Sequence, residues 1–246
     1  MNRYKRQIAL NGFNEGDQEK MAGKTAVIVG IGGLGTTIAD MLTRTGIGRL
    51  VIIDNDEVNI QDLHRQTIYN EEDVNKLKVK VLEEKLSKIN NSVEVVAHQK
   101  RLVSEDSRLT NGADIIMDGS DNMETRYLIN KISYGSGIPW IYGSCTGTRG
   151  MSFNIVPGET PCFECLTSGI TISSKLEDST ETGTLGTAVS LIGLYQATQA
   201  IKILLGKEYN KKLFFMDLWK DRFEFLEVNK RKECRLCNGP LEDKNF

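Results

Sequence analysis

The sequence predicts a doubly wound α/β domain with a mostly parallel sheet, followed by an antiparallel, metal-bound C-terminal part. Three observations support this prediction. Short runs of β-branched residues alternate with stretches of helical periodicity, a glycine-rich turn follows the first run, and two Cys-x-x-Cys pairs lie in the second half of the chain. Such alternation is typical of parallel strands joined by crossover helices, which makes the fold Rossmann-like.

The first half alternates strands and helices. Four runs rich in Val and Ile predict buried parallel strands, which end at Gly30, Asp54, His98 and Gly119. Apolar residues at helical spacing predict helices, which cover residues 34–45, 74–89 and 123–134. The order of these elements predicts consecutive βαβ units.

The second half changes character. Strands are predicted over residues 139–144 and 150–157, and a polar stretch over residues 167–184 predicts a mobile loop. A helix of small residues is predicted to end at Gly206, where glycine can terminate it. The runs 212–218 and 222–228, separated by a short turn, predict an antiparallel hairpin.

Size and charge restrict the class of protein. The chain has 246 residues, which is enough for a sizeable core, and no linker divides it, so we expect one domain over residues 1–246. A formal net charge of -2 argues against a protein that neutralises nucleic-acid phosphates broadly. The sequence has neither a run of about 18 apolar residues nor a signal-peptide core, so we expect a cytoplasmic protein with no membrane segment.

The string GIGGLG, which contains Gly30, Gly32, Gly33 and Gly35, follows the first predicted strand and opens the first predicted helix. Glycines in such a turn let phosphate oxygens approach the helix N-terminus. Asp54 ends the second predicted strand, where it can accept hydrogen bonds from ribose hydroxyls. A plain strand-to-helix turn does not account for that acid, so the pair predicts a nucleotide site.

This fold alone allows either NAD or ATP. The string that suggests a hydride-transfer pair joins Tyr127 and Lys131 one helical turn apart, and ordinary helix packing accounts for it. Several cations and carboxylates fall instead in separate loops and helix starts, in RYKRQ, DLHRQ, DGSDN and at Lys78. Adenylation of a carboxylate needs positive charge at the α-phosphate and pyrophosphate, and a carboxylate that holds Mg²⁺. The set therefore favours ATP over an NAD oxidoreductase.

Nine strings follow one another along the chain: RYKRQ, GIGGLG, DNDEV, DLHRQ, LKV, DGSDN, PCFEC, ETGTLG and CRLC. In this order they resemble the ThiF/MoeB/HesA family of ubiquitin-like-protein-activating enzymes over nearly the whole chain. The resemblance implies a homodimer or pseudodimer that binds MgATP and adenylates the C-terminal glycine of a ubiquitin-fold protein. It also implies a nucleotide-binding half over residues 1–144, and a half over residues 145–246 that carries substrate binding, the crossover loop and zinc.

The resemblance implies a set of residues around the nucleotide. They are Gly30, Gly32, Gly33, Gly35, Asp54, Asp56, Arg65, Gln66, Lys78, Asp121, Asn122 and Arg126. Asp54 is implied to hold the ribose, while Arg65 and Lys78 contact the phosphates. Asp121 is implied to bind Mg²⁺, and Arg126 to position that region. Arg6 is implied to reach into the partner subunit's ATP site, so the catalytic roles fall on Arg6, Arg65, Lys78 and Asp121.

The chain departs from the family pattern at three positions. Asp62 replaces the usual Asn, and its charge is expected to weaken ATP binding unless it turns towards a cation. Asn75 replaces a common Gly, which matters little if the backbone tolerates it. Ser179 stands where many relatives have Cys, so we expect adenylation without a stable thioester there. Cys145 is interpreted as a small, partly buried side chain rather than a nucleophile.

Four cysteines form two pairs with metal-ligand spacing: Cys162 with Cys165, and Cys234 with Cys237. Two such pairs can bring four thiolates to one Zn²⁺ if the chain returns on itself. Two separate redox dithiols are the alternative, but the chain lacks the usual thioredoxin context. We therefore expect a closed structural zinc site that clamps the C-terminal tail to the core.

Together these observations predict ATP-dependent adenylation of a ubiquitin-fold sulfur carrier that ends in Gly-Gly. Two alternatives stay open at this point. One is adenylation of a non-protein carboxylate or a modified tRNA base, and the other is a nucleotide-binding scaffold without catalysis, which Asp62 and Ser179 suggest.

Overall fold

A computed structural model describes residues 3–169 and 183–238 of the chain. The strands are β1 (Thr25–Val29), β2 (Arg49–Asp54), β3 (Glu94–Gln99), β4 (Ile115–Asp118), β5 (Trp140–Thr146), β6 (Arg149–Ile155), β7 (Leu213–Asp217) and β8 (Arg222–Leu226). The helices are α1 (Lys5–Ile8), α2 (Glu15–Ala22), α3 (Gly33–Thr45), α4 (Lys78–Ile89), α5 (Met123–Ser136), α6 (Phe163–Gly169), α7 (Gly186–Leu205) and α8 (Arg235–Asn238).

All eight strands belong to one sheet, in the order β3-β2-β1-β4-β5-β6-β7-β8. Strands β1 to β5 pair in parallel, and β6, β7 and β8 continue the sheet with antiparallel pairing. This arrangement confirms the predicted fold class. The strand order reverses between β1 and β4, so a crevice opens at their carboxyl ends, where ligands bind in folds of this class.

Alternate residues of each strand enter two separate cores. In β1, Ala26 and Ile28 pack with apolar residues of α3, α4 and α7, while Val27 and Val29 pack on the opposite face with residues of α5 and α6. Helices therefore cover both faces of the parallel strands. This burial explains why the parallel strands read as continuous apolar runs in the sequence.

Helix α7 is long and apolar enough, by length and composition alone, to cross a membrane. More than half of it is buried in this protein, mainly against α3 and β5. Ala188, Val189, Ile192 and Ala200 belong to the same core cluster as the apolar residues of α3. The composition of α7 is therefore that of a core helix of the sheet.

Helix α4 begins at Lys78, later than the predicted helix over residues 74–89. The predicted start is wrong because Asn75 has a φ of 66°, in the left-handed region, which interrupts any helix that includes it. Leu77 instead forms an isolated bridge with Glu57, and the N–H of Lys78 donates to the carbonyl of Asp56 at 3.0 Å. The lysine therefore stands in the first turn of α4.

The predicted loop over residues 167–184 is wrong at its start, because α6 continues to Gly169. Its hydroxyl side chains do not break the helix: Thr167 Oγ1 donates back to the carbonyl of Phe163 at 3.0 Å. Residues 170–182, which include Ser179, lie outside the described residues.

Candidate functional site: a nucleotide cleft and a four-cysteine cluster

The glycine-rich turn after β1 closes tightly on the loop after β4. Gly30 has a φ of 82°, and a Cβ there would lie 2.7 Å from the carbonyl carbon of Gly119. A Cβ on Gly35 would lie 1.9 Å from the carbonyl oxygen of Gly30. Only glycine allows these approaches, so the turn can bring β1, α3 and the next loop into one crevice. Gly32 caps α3 without a side chain, which suits an anion at the helix N-terminus.

Asp54 lies beside this turn at the end of β2. Its Oδ2 accepts a hydrogen bond from the N–H of Ile31 at 2.8 Å, and its Oδ1 accepts from the N–H of Asp56 at 2.7 Å. Burial raises the pKa of the Asp54 carboxyl, and the two backbone donors and nearby Lys78 oppose that effect. Both oxygens keep a second lone pair, so the carboxylate can still accept from a ligand hydroxyl.

Two cations lie close to the same turn, and carboxylates hold both. Arg65 Nη2 donates to Asp62 Oδ1 at 2.9 Å. Lys78 Nζ lies 3.3 Å from Asp56 Oδ2 and 3.7 Å from Asp62 Oδ2. Asp62 has thus turned towards cations, which is the exception that the sequence left open to the expected weakening of ATP binding. The structure brings Arg65, Lys78 and Asp56 together as one charged group.

The segment that carries Arg65 is clamped between two helix starts. A Cβ on Gly33, at the start of α3, would lie 3.2 Å from the carbonyl oxygen of Arg65. A Cβ on Gly186, at the start of α7, would lie 2.3 Å from the carbonyl oxygen of His64. Gln66 is buried behind Arg65, near Gly32. These contacts fix the backbone from which the arginine side chain extends.

The loop after β4 rests on a buried ion pair. Arg126 Nε donates to Asp118 Oδ2 at 3.2 Å, and its Nη2 donates to the carbonyl of Ser120 at 2.9 Å. Burial opposes the charge on Arg126, but the adjacent carboxylate outweighs it and raises the pKa of the guanidinium. Asp118 also accepts from the hydroxyl of Ser120 at 2.6 Å. The pair therefore supports the backbone directly before Asp121.

Asp121 and Asn122 follow at the N-terminus of α5. The side chain of Asn122 caps this helix by accepting from the N–H of Thr125 at 2.9 Å, and its amide donates to Asp121 Oδ1 at 3.2 Å. Asp121 is exposed at the mouth of the crevice. A single exposed carboxylate of this kind, together with substrate phosphates, is a donor set that suits Mg²⁺.

Arg6 does not join this group within one chain. It is exposed on α1, and its neighbour Gln7 donates to the carbonyl of Thr45 at 3.0 Å. Thr45 is the last residue of α3, whose 13 residues place it about 20 Å from the glycine-rich turn at the other end of the helix. That distance exceeds the length of an arginine side chain.

The four cysteines come together at the far side of the sheet from α3. Their Sγ atoms all lie within 4.8 Å of one another, with 3.5 Å between Cys162 and Cys234 and 3.6 Å between Cys165 and Cys237. Tetrahedral Zn²⁺ with Zn–S bonds of about 2.3 Å separates its sulfur ligands by similar distances. Hydrogen bonding from Cys162 lowers the pKa of Cys237 to about 4, so a thiolate is favoured within the cluster. The residues fit a Cys₄ zinc site.

Other sequence candidates have ordinary structural roles in the described part of the chain. Cys145 packs against the core beside α7, and burial raises the pKa of its thiol to about 12. Tyr127 packs edge-on against Phe163, with ring centroids 5.3 Å apart, while Lys131 is exposed. These positions support the interpretation of Cys145 as a partly buried side chain, and that of Tyr127 and Lys131 as a packed and a solvent-facing residue of one helix.

Sequence reasoning missed two buried residues that support the crevice. Asp118 was visible only as the first letter of DGSDN, and no local pattern showed its pairing with Arg126. Gln196 lies in the middle of α7 and donates to the carbonyls of Asp118 and Ile141, at 3.0 and 3.2 Å. A fully buried glutamine within an apolar helix is a signal that could have identified it.

A doubly wound sheet with a glycine-rich turn, an acid at the end of β2 and cations at the switch point defines a nucleotide-binding α/β protein. The protein also has a four-cysteine cluster beside the antiparallel strands, so within this class it is one that can hold a structural metal. Residues 4–236 match the model of the ThiF family, and the chain belongs to that family.

Named relatives agree with this assignment. The chain is 38% identical over 239 residues to the sulfur carrier protein ThiS adenylyltransferase of Bacillus subtilis (strain 168), covering 96% of this chain and 68% of that protein. It is 32% identical to the Escherichia coli (strain K12) protein of the same name, covering 98% and 96% of the two chains. It also resembles the crystal structure of E. coli MccB with AMPCPP and MccA, with a TM-score of 0.83, 25% identity, and coverage of 96% and 74%.

Proposed function

We propose that the protein uses MgATP to adenylate the C-terminal glycine carboxylate of a small ubiquitin-fold sulfur carrier that ends in Gly-Gly. The observation that carries the proposal is the charged group of Arg65 and Lys78, placed beside the N-terminus of α3 at the switch point of the sheet. Two relatives of this chain are named sulfur carrier protein ThiS adenylyltransferases, which supports this reaction over hydride transfer.

The residues of the cleft suit an attack on the α-phosphate. The carrier carboxylate is ionised at pH 7 and needs no general base. Its oxygen forms a bond to the α-phosphorus, while the bond from that phosphorus to the bridging oxygen breaks and pyrophosphate leaves with the electron pair. Arg65 and Lys78 stabilise the charge that develops on the phosphates, and Asp54 orients the ribose. Asp121 holds Mg²⁺, which when bound neutralises phosphate charge.

The proposal includes a homodimer in which Arg6 serves the partner's site. Arg6 is exposed, and it lies near the end of α3 that is opposite to the glycine-rich turn of its own chain. A cation at that place can contribute to catalysis only across a subunit boundary.

The proposal also assigns structural Zn²⁺ to Cys162, Cys165, Cys234 and Cys237. The metal would join the start of α6 to the C-terminal segment that carries α8. Four cysteines committed to a metal rather than to disulfides suit a reducing compartment, so the proposed location is the cytoplasm.

ATP–pyrophosphate exchange tests the reaction directly. We would measure it with the protein alone and with each small ubiquitin-fold protein ending in Gly-Gly from the same genome, using Asp121→Ala as the blank. Carrier-dependent exchange is expected, and it names the partner. If none of the carriers supports exchange although ATP binds, the proposed substrate is rejected. That result would favour a non-protein carboxylate as substrate, or a nucleotide-binding scaffold without catalysis.

A further inference from the structure

Asp62 lies between the two cations of the phosphate site. Its Oδ1 accepts a hydrogen bond from Arg65 Nη2 at 2.9 Å, and its Oδ2 lies 3.7 Å from Lys78 Nζ. The side chains of Asp62 and Lys78 are only 8% and 7% exposed. Water and salt screen buried charges weakly, so the carboxylate acts strongly on both cations.

Backbone contacts hold Asp62 in this place. Its Oδ2 accepts from the N–H of Asn59 at 3.2 Å, which ties the side chain to the start of the short 3₁₀ turn Ile60–Asp62. Its own carbonyl accepts from the N–H groups of Arg65 and Gln66, both at 3.0 Å. The carboxylate is therefore part of the turn that supports Arg65.

Asp62 differs from the other carboxylate that pairs with Lys78. Asp56 lies 3.3 Å from the lysine, but its side chain is 58% exposed, so solvent screens its charge. The buried carboxylate of Asp62 contacts Arg65 as well, so it offsets positive charge on two residues at once. The cations that Asp62 faces are the same two that are proposed to contact the phosphates, so its turn towards them does not remove its effect on ATP binding. Phosphate ligands at this site would meet two cations whose field is already reduced.

We infer that Asp62, through its fixed negative charge beside Arg65 and Lys78, limits the affinity of the site for ATP phosphates and pyrophosphate. The inference rests on the proposed function, because it requires that phosphates bind at these two cations. A site held at moderate affinity releases pyrophosphate readily after the α–β bond breaks.

The test is the variant Asp62→Asn, which keeps the shape of the side chain and one acceptor for Asn59 or Arg65 but removes the charge. Isothermal titration calorimetry with the full chain, in excess Mg²⁺, would measure binding of the imido analogue of ATP and of inorganic pyrophosphate. The Kd of each is expected to fall by about tenfold, because a repulsive charge a few ångströms from the phosphates is gone. A variant that only damaged the turn would bind more weakly.

Asp73→Asn is the matched control. Asp73 is 6% exposed like Asp62, its Oδ2 accepts from the N–H of Asn70 at 2.9 Å at the start of the next 3₁₀ turn, and its salt bridge is to Lys85. Within the described residues, Asp73 forms no hydrogen bond or salt bridge with Arg65 or Lys78. Its substitution is expected to leave both Kd values within about twofold.

Unchanged or weaker binding by Asp62→Asn would overturn the inference, as would an equal gain in affinity in Asp73→Asn. A wild-type protein that binds neither probe would overturn both the nucleotide site and the role of Asp62. Neither measurement needs a carrier, so absence of carrier-dependent exchange counts against the proposed function alone. Where exchange does occur, the KM for ATP is expected to fall in Asp62→Asn without a rise in kcat.

Discussion

At the residue scale, Lys78 shows how one side chain depends on several parts of the chain. It is buried at the start of α4, and its Nζ lies close to two carboxylates: that of Asp56, which follows β2, and that of Asp62, which ends the 3₁₀ turn. Its backbone carbonyl lies 3.3 Å from the hydroxyl of Tyr69, which also approaches the carbonyl of Ile31 at 3.5 Å. The lysine is therefore held at both ends before any ligand binds.

We predict that Lys78→Ala lowers carrier-dependent pyrophosphate exchange by at least about 100-fold, because one preorganised positive group at the phosphates is lost. The free energy of unfolding is expected to fall by about 1–3 kcal/mol, since Asp62 keeps only one cation. Exchange rates and urea denaturation would measure the two effects.

Lys85→Ala is the control for this prediction. Lys85 pairs with buried Asp73 and donates to the carbonyl of Ile68 at 2.8 Å, so its loss also breaks a partly buried ion pair. We expect a similar loss of stability with exchange unchanged within about twofold. Equal losses of exchange in the two variants would show that stability, not phosphate contact, explains the effect.

At the element scale, the turn before α4 decides where Lys78 points. The N–H of Asn75 donates to the carbonyl of Val58 at 2.9 Å, and the N–H of Val58 donates to the carbonyl of Lys76 at 2.9 Å. These bonds require the left-handed conformation at Asn75, which Asn tolerates better than most residues. The replacement of a glycine by Asn noted in the sequence is therefore a conservative change for the backbone.

Two substitutions at this turn are expected to differ in their effect on stability. Asn75→Ala should lower the free energy of unfolding by about 1 kcal/mol, because Ala pays the steric cost of a positive φ. Asn75→Gly should stay within about 0.5 kcal/mol of the wild type, since Gly adopts this conformation readily. Thermal and urea denaturation would compare them. Equal stability of the Ala and Gly variants would mean that the left-handed conformation contributes nothing.

At the scale of the whole molecule, the cysteine cluster joins distant parts of the chain. Cys162 and Cys165 lie at the start of α6, while Cys234 and Cys237 come after β8, the last strand. The two pairs meet on the face of the sheet that α5 and α6 cover, where Phe163 packs against Trp140 and Tyr142 of β5. A metal there would tie the C-terminal segment to the buried core.

We predict about one Zn²⁺ per chain in the purified protein and a loss of most of it in Cys234→Ser, because three thiolates do not complete a closed site. The Tm should fall in this variant and after chelation of the wild type. Cys145→Ser is the matched control, since this cysteine lies outside the cluster and should keep both metal and Tm. Full zinc content in Cys234→Ser would contradict the Cys₄ assignment.

The proposed dimer has its own test at this scale. Arg6→Ala and Asp121→Ala should each be inactive as homodimers, since each lacks one component of both sites. Heterodimers formed by mixing contain one site with both residues intact and should recover a substantial fraction of exchange. Mixed dimers that form, as shown by mass spectrometry, but stay inactive would exclude a site shared between subunits.

Much of this architecture was predictable because its signals are local. Runs of Val and Ile indicate strands that helices cover on both faces. Glycines indicate turns in which a Cβ would clash with neighbouring backbone. The two cysteine pairs have the spacing of metal ligands in the sequence itself. The order of these elements was enough for the parallel sheet, since only a few topologies connect alternating strands and helices. The left-handed turn at Asn75 had no such pattern, and the predicted helix therefore began too early.

The sequence by itself determined the fold class, the nucleotide turn and the four cysteines of this protein, because each depends on residues close together in the chain or on their spacing. The tertiary structure alone decided which charges meet. Asp62 facing Lys78, Asp118 buried against Arg126, and Arg6 at the far end of α3 all depend on how separate elements pack. Electrostatic interactions depend on distance and burial in the folded molecule, and sequence patterns specify neither of these quantities.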